Sequence, residues 1–154
     1  MIEQVVLAFV SSIAFALLFH VPRKQYLYCG ITGGAAWLFY LLAFSYWGSP
    51  VISSLAATLA LSFMAKLFAV RRSTPALVFL IAGIFPLVPG AGIYYTVHYL
   101  IMGDNALAFS KGLETLKIAV VIALGMVLVA SIPYRFFHRL NRYLGWKHSP
   151  PPAR

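Results

Sequence analysis

The sequence predicts an all-α polytopic membrane protein with about five transmembrane helices, and three observations carry that expectation. The 154 residues are 62% hydrophobic and only 10% charged, against roughly 25% charged residues in ordinary soluble domains. Charge-poor windows of about 20 residues, the length a helix needs to cross some 30 Å of hydrocarbon, recur along the chain. The Lys and Arg residues gather at the ends of those windows. A net charge of +9 would point to nucleic acid in a soluble domain, but here the distribution of charge reads as membrane orientation, and no nucleic-acid role is expected.

The first window runs from about Ile2 to Phe19 and stops at His20-Val21-Pro22-Arg23-Lys24. Its start, Met1-Ile2-Glu3-Gln4, lacks the basic residues of a signal peptide, so it is read as a structural span. The second covers about Tyr26 to Trp47 and ends at Gly48-Ser49-Pro50. Gly30 and Gly34 form a small-xxx-small pair there, with Gly33, Ala35 and Ala36 beside them, which favours close helix contact. Cys29, the single cysteine, reads as a small packing residue. The third window extends from about Val51 to Val70, with Ser53/Ala57 and Ala56/Ala60 as further small pairs, and stops at Arg71-Arg72-Ser73-Thr74-Pro75. Lys66 lies one turn before that end, where its long stem is expected to carry the ammonium to the headgroups.

The fourth segment, Thr74 to Met102, has no charged side chain and reads Gly83-Ile84-Phe85-Pro86-Leu87-Val88-Pro89-Gly90-Ala91-Gly92 in its middle. It cannot run as one smooth helix. Each proline lacks an N–H and clashes with the turn before it, so Pro86 is expected to free the carbonyl of Ala82, and Pro89 that of Phe85. Membrane proteins tolerate a break such as Pro86–Gly90 where it is buried in protein or lines a polar cavity. Counting about 1.5 Å per residue from Pro75 puts it roughly 15 to 25 Å into the layer, near the midplane. The fifth window runs from about Leu113 to Ile132 and ends at Pro133-Tyr134-Arg135.

Five spans put Arg23, Lys24, Arg71, Arg72, Arg135, Arg139, Arg142, Lys147 and Arg154 on one side, the cytoplasm by the positive-inside rule. Glu3, Asp104, Glu114, Lys111 and Lys117 fall on the other. The N-terminus is then outside and the C-terminus inside, with residues 1–134 a transmembrane domain and 135–154 a cytoplasmic basic tail. In that tail Phe136, Leu140 and Tyr143 or Leu144 share one helical face, and Arg135, Arg139 and Arg142 another, the pattern of an interfacial helix on anionic lipid. Ser149 to Arg154, rich in proline, is expected to be disordered.

At the break, carbonyls from the first half-helix and free N–H groups from the second would converge, which suits a zwitterion or a carboxylate. Pro86, Pro89, Gly90, Gly92, Tyr94, Tyr95 and Thr96 are the candidate substrate-binding residues. The competing reading is a proline kink that only bends a packing helix. Asp104 and Glu114 are the coupling candidates, although a helix cap at Asp104 and a pairing of Glu114 with Lys111 or Lys117 is the better reading of the two acids. His20 and His98 read as interface residues. There is no His-Glu-x-x-His and no acid cluster, so no metal, cofactor or enzymatic activity is expected.

Several stretches resemble a known family. Phe15-Ala16-Leu17-Leu18-Phe19-His20-Val21-Pro22-Arg23, the Gly-rich Gly30 to Trp37, and Thr74-Pro75-Ala76-Leu77-Val78-Phe79 leading into Ile84-Phe85-Pro86-Leu87-Val88-Pro89-Gly90 and Tyr94 are three of them. Gly112-Leu113-Glu114-Thr115-Leu116 with Gly125 is the fourth. Together, from about Phe15 to Ile132, they resemble the threonine/serine exporter family, more narrowly its small YjjB-type subunit corresponding to the C-terminal half of the full-length exporter. The resemblance implies export of threonine and serine, or of small carboxylates such as succinate, driven by the proton gradient across the inner membrane. It also implies a larger partner subunit. By position, Pro86, Pro89, Gly90 and Tyr94 carry over, with Pro22 and Arg23 closing the first cytoplasmic turn, while His20 stands where the family pattern has Asn. A homo-oligomer, and a non-transporting structural or assembly subunit of a membrane complex, are the alternatives.

Overall fold

The computed structural model describes residues 1–143, and its regular structure is helical throughout. The α-helices are α1 (Ile2–Leu18), α2 (Tyr26–Trp47), α3 (Pro50–Arg72), α4 (Ala76–Ile84), α5 (Gly90–Ile101), α6 (Asn105–Ala130) and α7 (Tyr134–Tyr143). Tight 3-10 turns occupy Arg23–Gln25 and Phe85–Leu87. Three helices, α2 with the turn leading into it, α3 and α6, are long and apolar enough to cross a membrane; α4 and α5 make a further segment bent by 47°. With 17 residues, α1 reaches about 25 Å, a little short of a typical hydrocarbon layer.

Helix ends follow from local chemistry. At His20, Ser73 and Gly103 the backbone turns left-handed, with φ of 54°, 50° and 79°. The following N–H then reaches back five residues: Val21 to Ala16 at 3.0 Å, Thr74 to Ala69 at 3.1 Å, Asp104 to Tyr99 at 3.0 Å. Pro22 and Pro75 come next and forbid continuation. The expected fifth span, Leu113 to Ile132, is corrected at its start, because α6 begins eight residues earlier at Asn105. The Asp104 carboxylate accepts the Leu107 N–H at 3.0 Å and starts the helix there. Charges at Lys111, Glu114 and Lys117 mark polar surroundings and do not end a helix.

Helix α1 packs on α2, α2 on α3, and α4 against both α2 and α3; α6 and α7 lie on α3, and α5 on α6. The buried centre is made of small side chains, among them Ala16, Cys29, Ala36, Ala57 and Ala65, while most large aliphatic groups point outward. This inversion of the soluble pattern follows from lipid being as apolar as leucine, so that helices associate through close approach. Gly33 shows how close: a Cβ there would lie 2.7 Å from the Cβ of Ser12 on α1. Several buried hydroxyls bond within their own helices, as Thr32 donates to the Cys29 carbonyl at 2.8 Å and Thr58 to that of Ser54 at 2.7 Å.

One expectation is overturned near the end of the described chain. Lys66 does not snorkel to the headgroups but is buried, its Nζ donating to the carbonyls of Ala130 and Ile132, each at 2.8 Å. Pro133 stops α6 and leaves its last carbonyls short of helical donors, and α3 supplies a donor from the side. The rings of Tyr134 and Phe137 stand 5.0 and 5.6 Å from the ammonium. The inward face of α7 is formed by Phe137 and Asn141, whereas Phe136 and Tyr143 are exposed. Seating against α3, with the Phe137 and Phe63 rings 5.1 Å apart, sets the phase of the helix. Leu144, Lys147 and the Ser149 to Arg154 tail lie outside the described residues.

Candidate functional site

The break in the fourth segment is shorter than the Pro86–Gly90 stretch read from sequence. The chain stays coiled through Leu87, because a 3-10 turn accommodates Pro86 near its start, where no N–H is needed. Val88 then turns extended, with φ −60° and ψ 127°, the conformation forced on a residue that precedes proline. The Phe85 carbonyl, expected to be free, accepts the Val88 N–H at 3.3 Å. Beyond Pro89, the Gly90 N–H bonds the Val88 carbonyl at 2.7 Å and the Ile93 N–H the Pro89 carbonyl at 3.1 Å. Among the described residues the N–H groups of Ala91 and Gly92 have no acceptor, so the first turn of α5 offers two donors and the positive end of its dipole. The ring of Phe85 stacks on Phe15 at 3.7 Å and anchors the break against α1.

A cavity of about 350 Å³ opens beside this break. One wall is the run from Pro86 to Gly92; α2 contributes Trp37 and Tyr40, α3 contributes Ser54, and α6 contributes Lys111, Glu114, Thr115 and Ile118. Lys111 Nζ and Glu114 Oε2 pair at 3.0 Å, both about half exposed, and they are the only charged groups among the described lining residues. Trp37 and Tyr40 stack with ring centres 5.0 Å apart. The Trp37 Nε1 is buried and, among the described residues, has no hydrogen-bond partner.

Glycine and threonine pairing brings α6 to this wall. A Cβ on Gly92 would collide with Thr115, and one on Gly112 would lie 3.2 Å from Thr96. Each helix therefore presents a glycine to the other's threonine, and the close crossing holds Lys111 and Glu114 near the start of α5. Thr96 donates to the Gly92 carbonyl at 2.7 Å.

Of the residues singled out from sequence, Pro86, Pro89, Gly90, Gly92, Tyr95 and Glu114 meet at the cavity. Tyr94, 63% exposed and stacked on His98, is not among its lining residues, and neither are Thr96 and Asp104. Trp37, Tyr40, Ser54 and Thr115 were not legible as site residues. A polar aromatic pair three residues apart in an apolar window was the one available signal, and only tertiary packing shows which way it faces.

These features define a class: a multi-pass α-helical membrane protein with a broken apolar segment beside a cavity that holds an ion pair. Residues 4–132 match the model of the family described as "Threonine/Serine exporter, ThrE", and the chain belongs to that family. It is 30% identical over 145 residues to a protein of Corynebacterium glutamicum named "Threonine/serine exporter", covering 87% of this chain and 29% of the relative. A Mycobacterium tuberculosis protein named "Probable threonine/serine exporter" is 26% identical over 122 residues, covering 79% of this chain and 23% of the relative. The chain thus spans less than a third of the length of these curated relatives. No solved structure matches it.

Proposed function

We propose that this chain is a membrane subunit of a secondary transporter that exports small amino acids such as threonine and serine, or small carboxylates of the succinate kind, across the inner membrane. One observation carries the reading: Ala91 and Gly92, whose N–H groups have no acceptor among the described residues, stand at the start of a helix and line a cavity that also holds an ion pair. Its volume lies near the small end of the roughly 300–1,000 Å³ range of ligand pockets, in keeping with a small solute. Family membership and the names of both relatives support it.

A larger partner subunit completes the assembly, as the resemblance to the small exporter subunit implies. The N-terminus lies outside and the C-terminus inside, with 1–134 the transmembrane domain and 135–154 a cytoplasmic tail whose Arg135, Arg139 and Arg142 meet anionic lipid. Glu114 is better placed than Asp104 to take up a coupling proton, since it lines the cavity while Asp104 caps α6. The test is efflux of labelled threonine, serine and succinate from cells with and without the chain, its partner present in both. Loss of efflux without the chain is expected, as is loss with Pro89→Ala while the variant still inserts. Unchanged efflux in both would leave an assembly subunit as the correct description.

A further inference from the structure

We infer that the Lys111–Glu114 pair is an exchangeable lock for a zwitterion: Lys111 receives the ligand's carboxylate and Glu114 its ammonium. The inference rests on the proposed transport reading and adds to it the two residues that set ligand charge. Geometry brings them together for this. They lie at i and i+3 on α6, 3.0 Å apart, on the wall facing the first turn of α5. The Gly92–Thr115 and Gly112–Thr96 contacts, on residues next to each of them, fix that wall in place.

A half-exposed pair at this spacing is weakly held, so a ligand can part it at little cost. In the empty site the two side chains satisfy each other. A zwitterion replaces both halves at once, and its carboxylate also meets the N–H groups of Ala91 and Gly92. A dicarboxylate can use Lys111 but sets its second negative charge against Glu114, with no other cation among the described lining residues to offset it. An amino alcohol finds Glu114 and leaves Lys111 unused. The cavity therefore ranks a small amino acid above both.

The experiment measures binding of threonine, threoninol and succinate to the full chain in native-lipid nanodiscs with any subunit that stays attached. Wild type is expected to prefer threonine. Lys111→Gln should weaken threonine by a factor on the order of ten and should not weaken threoninol, whose ammonium then meets an unpaired Glu114. Lys111→Arg should retain most threonine binding, and threoninol binding by Lys111→Gln at or above the wild-type level reports an intact fold. Glu114→Gln should weaken threonine and threoninol and improve succinate. Equal losses for threonine and threoninol in Lys111→Gln, or no loss at all, overturn the lock while leaving a transporter subunit standing. A wild-type protein that binds none of the three overturns both.

Discussion

Helices α1 to α4 and the α5–α6 hairpin solve different problems with the same residue types. In the first group glycine and alanine let helices touch along buried faces: half of the apolar window of α3 is buried, and Ala16, Ala36 and Ala57 have no exposed surface. In the hairpin, α5 has no buried residue and only 17% of the α6 window is covered. The scaffold side buries its helices against one another. The hairpin side is mostly exposed, and the cavity lies where the two meet, with α2 and α3 on one side and α5 and α6 on the other.

That contrast gives an ordered set of substitutions. Gly33→Val, on the scaffold side, forces a branched side chain into Ser12 and should lower stability by about 3 kcal/mol, read as a large drop in the detergent melting temperature. Lys66→Met comes next. It removes the donor to the Ala130 and Ile132 carbonyls and should cost about 2 kcal/mol, with faster proteolysis at the α6–α7 elbow. Gly92→Ala should cost about 1 kcal/mol, since a single methyl asks only the Thr115 side chain to shift. Gly90→Ala meets nothing within 4 Å and should change stability by no more than about 0.5 kcal/mol. If Gly92→Ala destabilised as much as Gly33→Val, the hairpin would be as tightly held as the scaffold and the contrast would fail.

Much of this was legible in the sequence because prolines, glycines and charges act locally. Pro22, Pro75 and Pro133 mark helix ends, and Val88-Pro89 forces the extended step whatever surrounds it. What remained hidden depends on direction. In a soluble helix, periodicity separates inside from outside, but in spanning helices such as α2 both faces are apolar. In amphipathic α7 the pattern marks an apolar face, yet only the seat on α3 shows that Phe137 turns inward. Lys66 was misread for a related reason: a lone cation near a helix end finds headgroups by default, and its carbonyl partners lie 64 and 66 residues away in sequence. Asp104 could be read as a cap, yet the charges that follow it hid how early α6 begins. Trp37 and Tyr40 reach the cavity only because α2 packs where it does.

The central claim is that the chain leaves regular coiling at Val88 and Pro89 to hold a polar, water-filled site within the membrane. Gly90 has room for a side chain, and the one native cysteine, Cys29, is buried. The decisive measurement is labelling of Gly90→Cys, in a Cys29→Ala background, by a charged, membrane-impermeant maleimide applied to each face of sealed vesicles. The account predicts reaction from at least one face, slowed by added threonine. A cysteine at position 90 that stays unreactive from both faces until detergent dissolves the bilayer would contradict it.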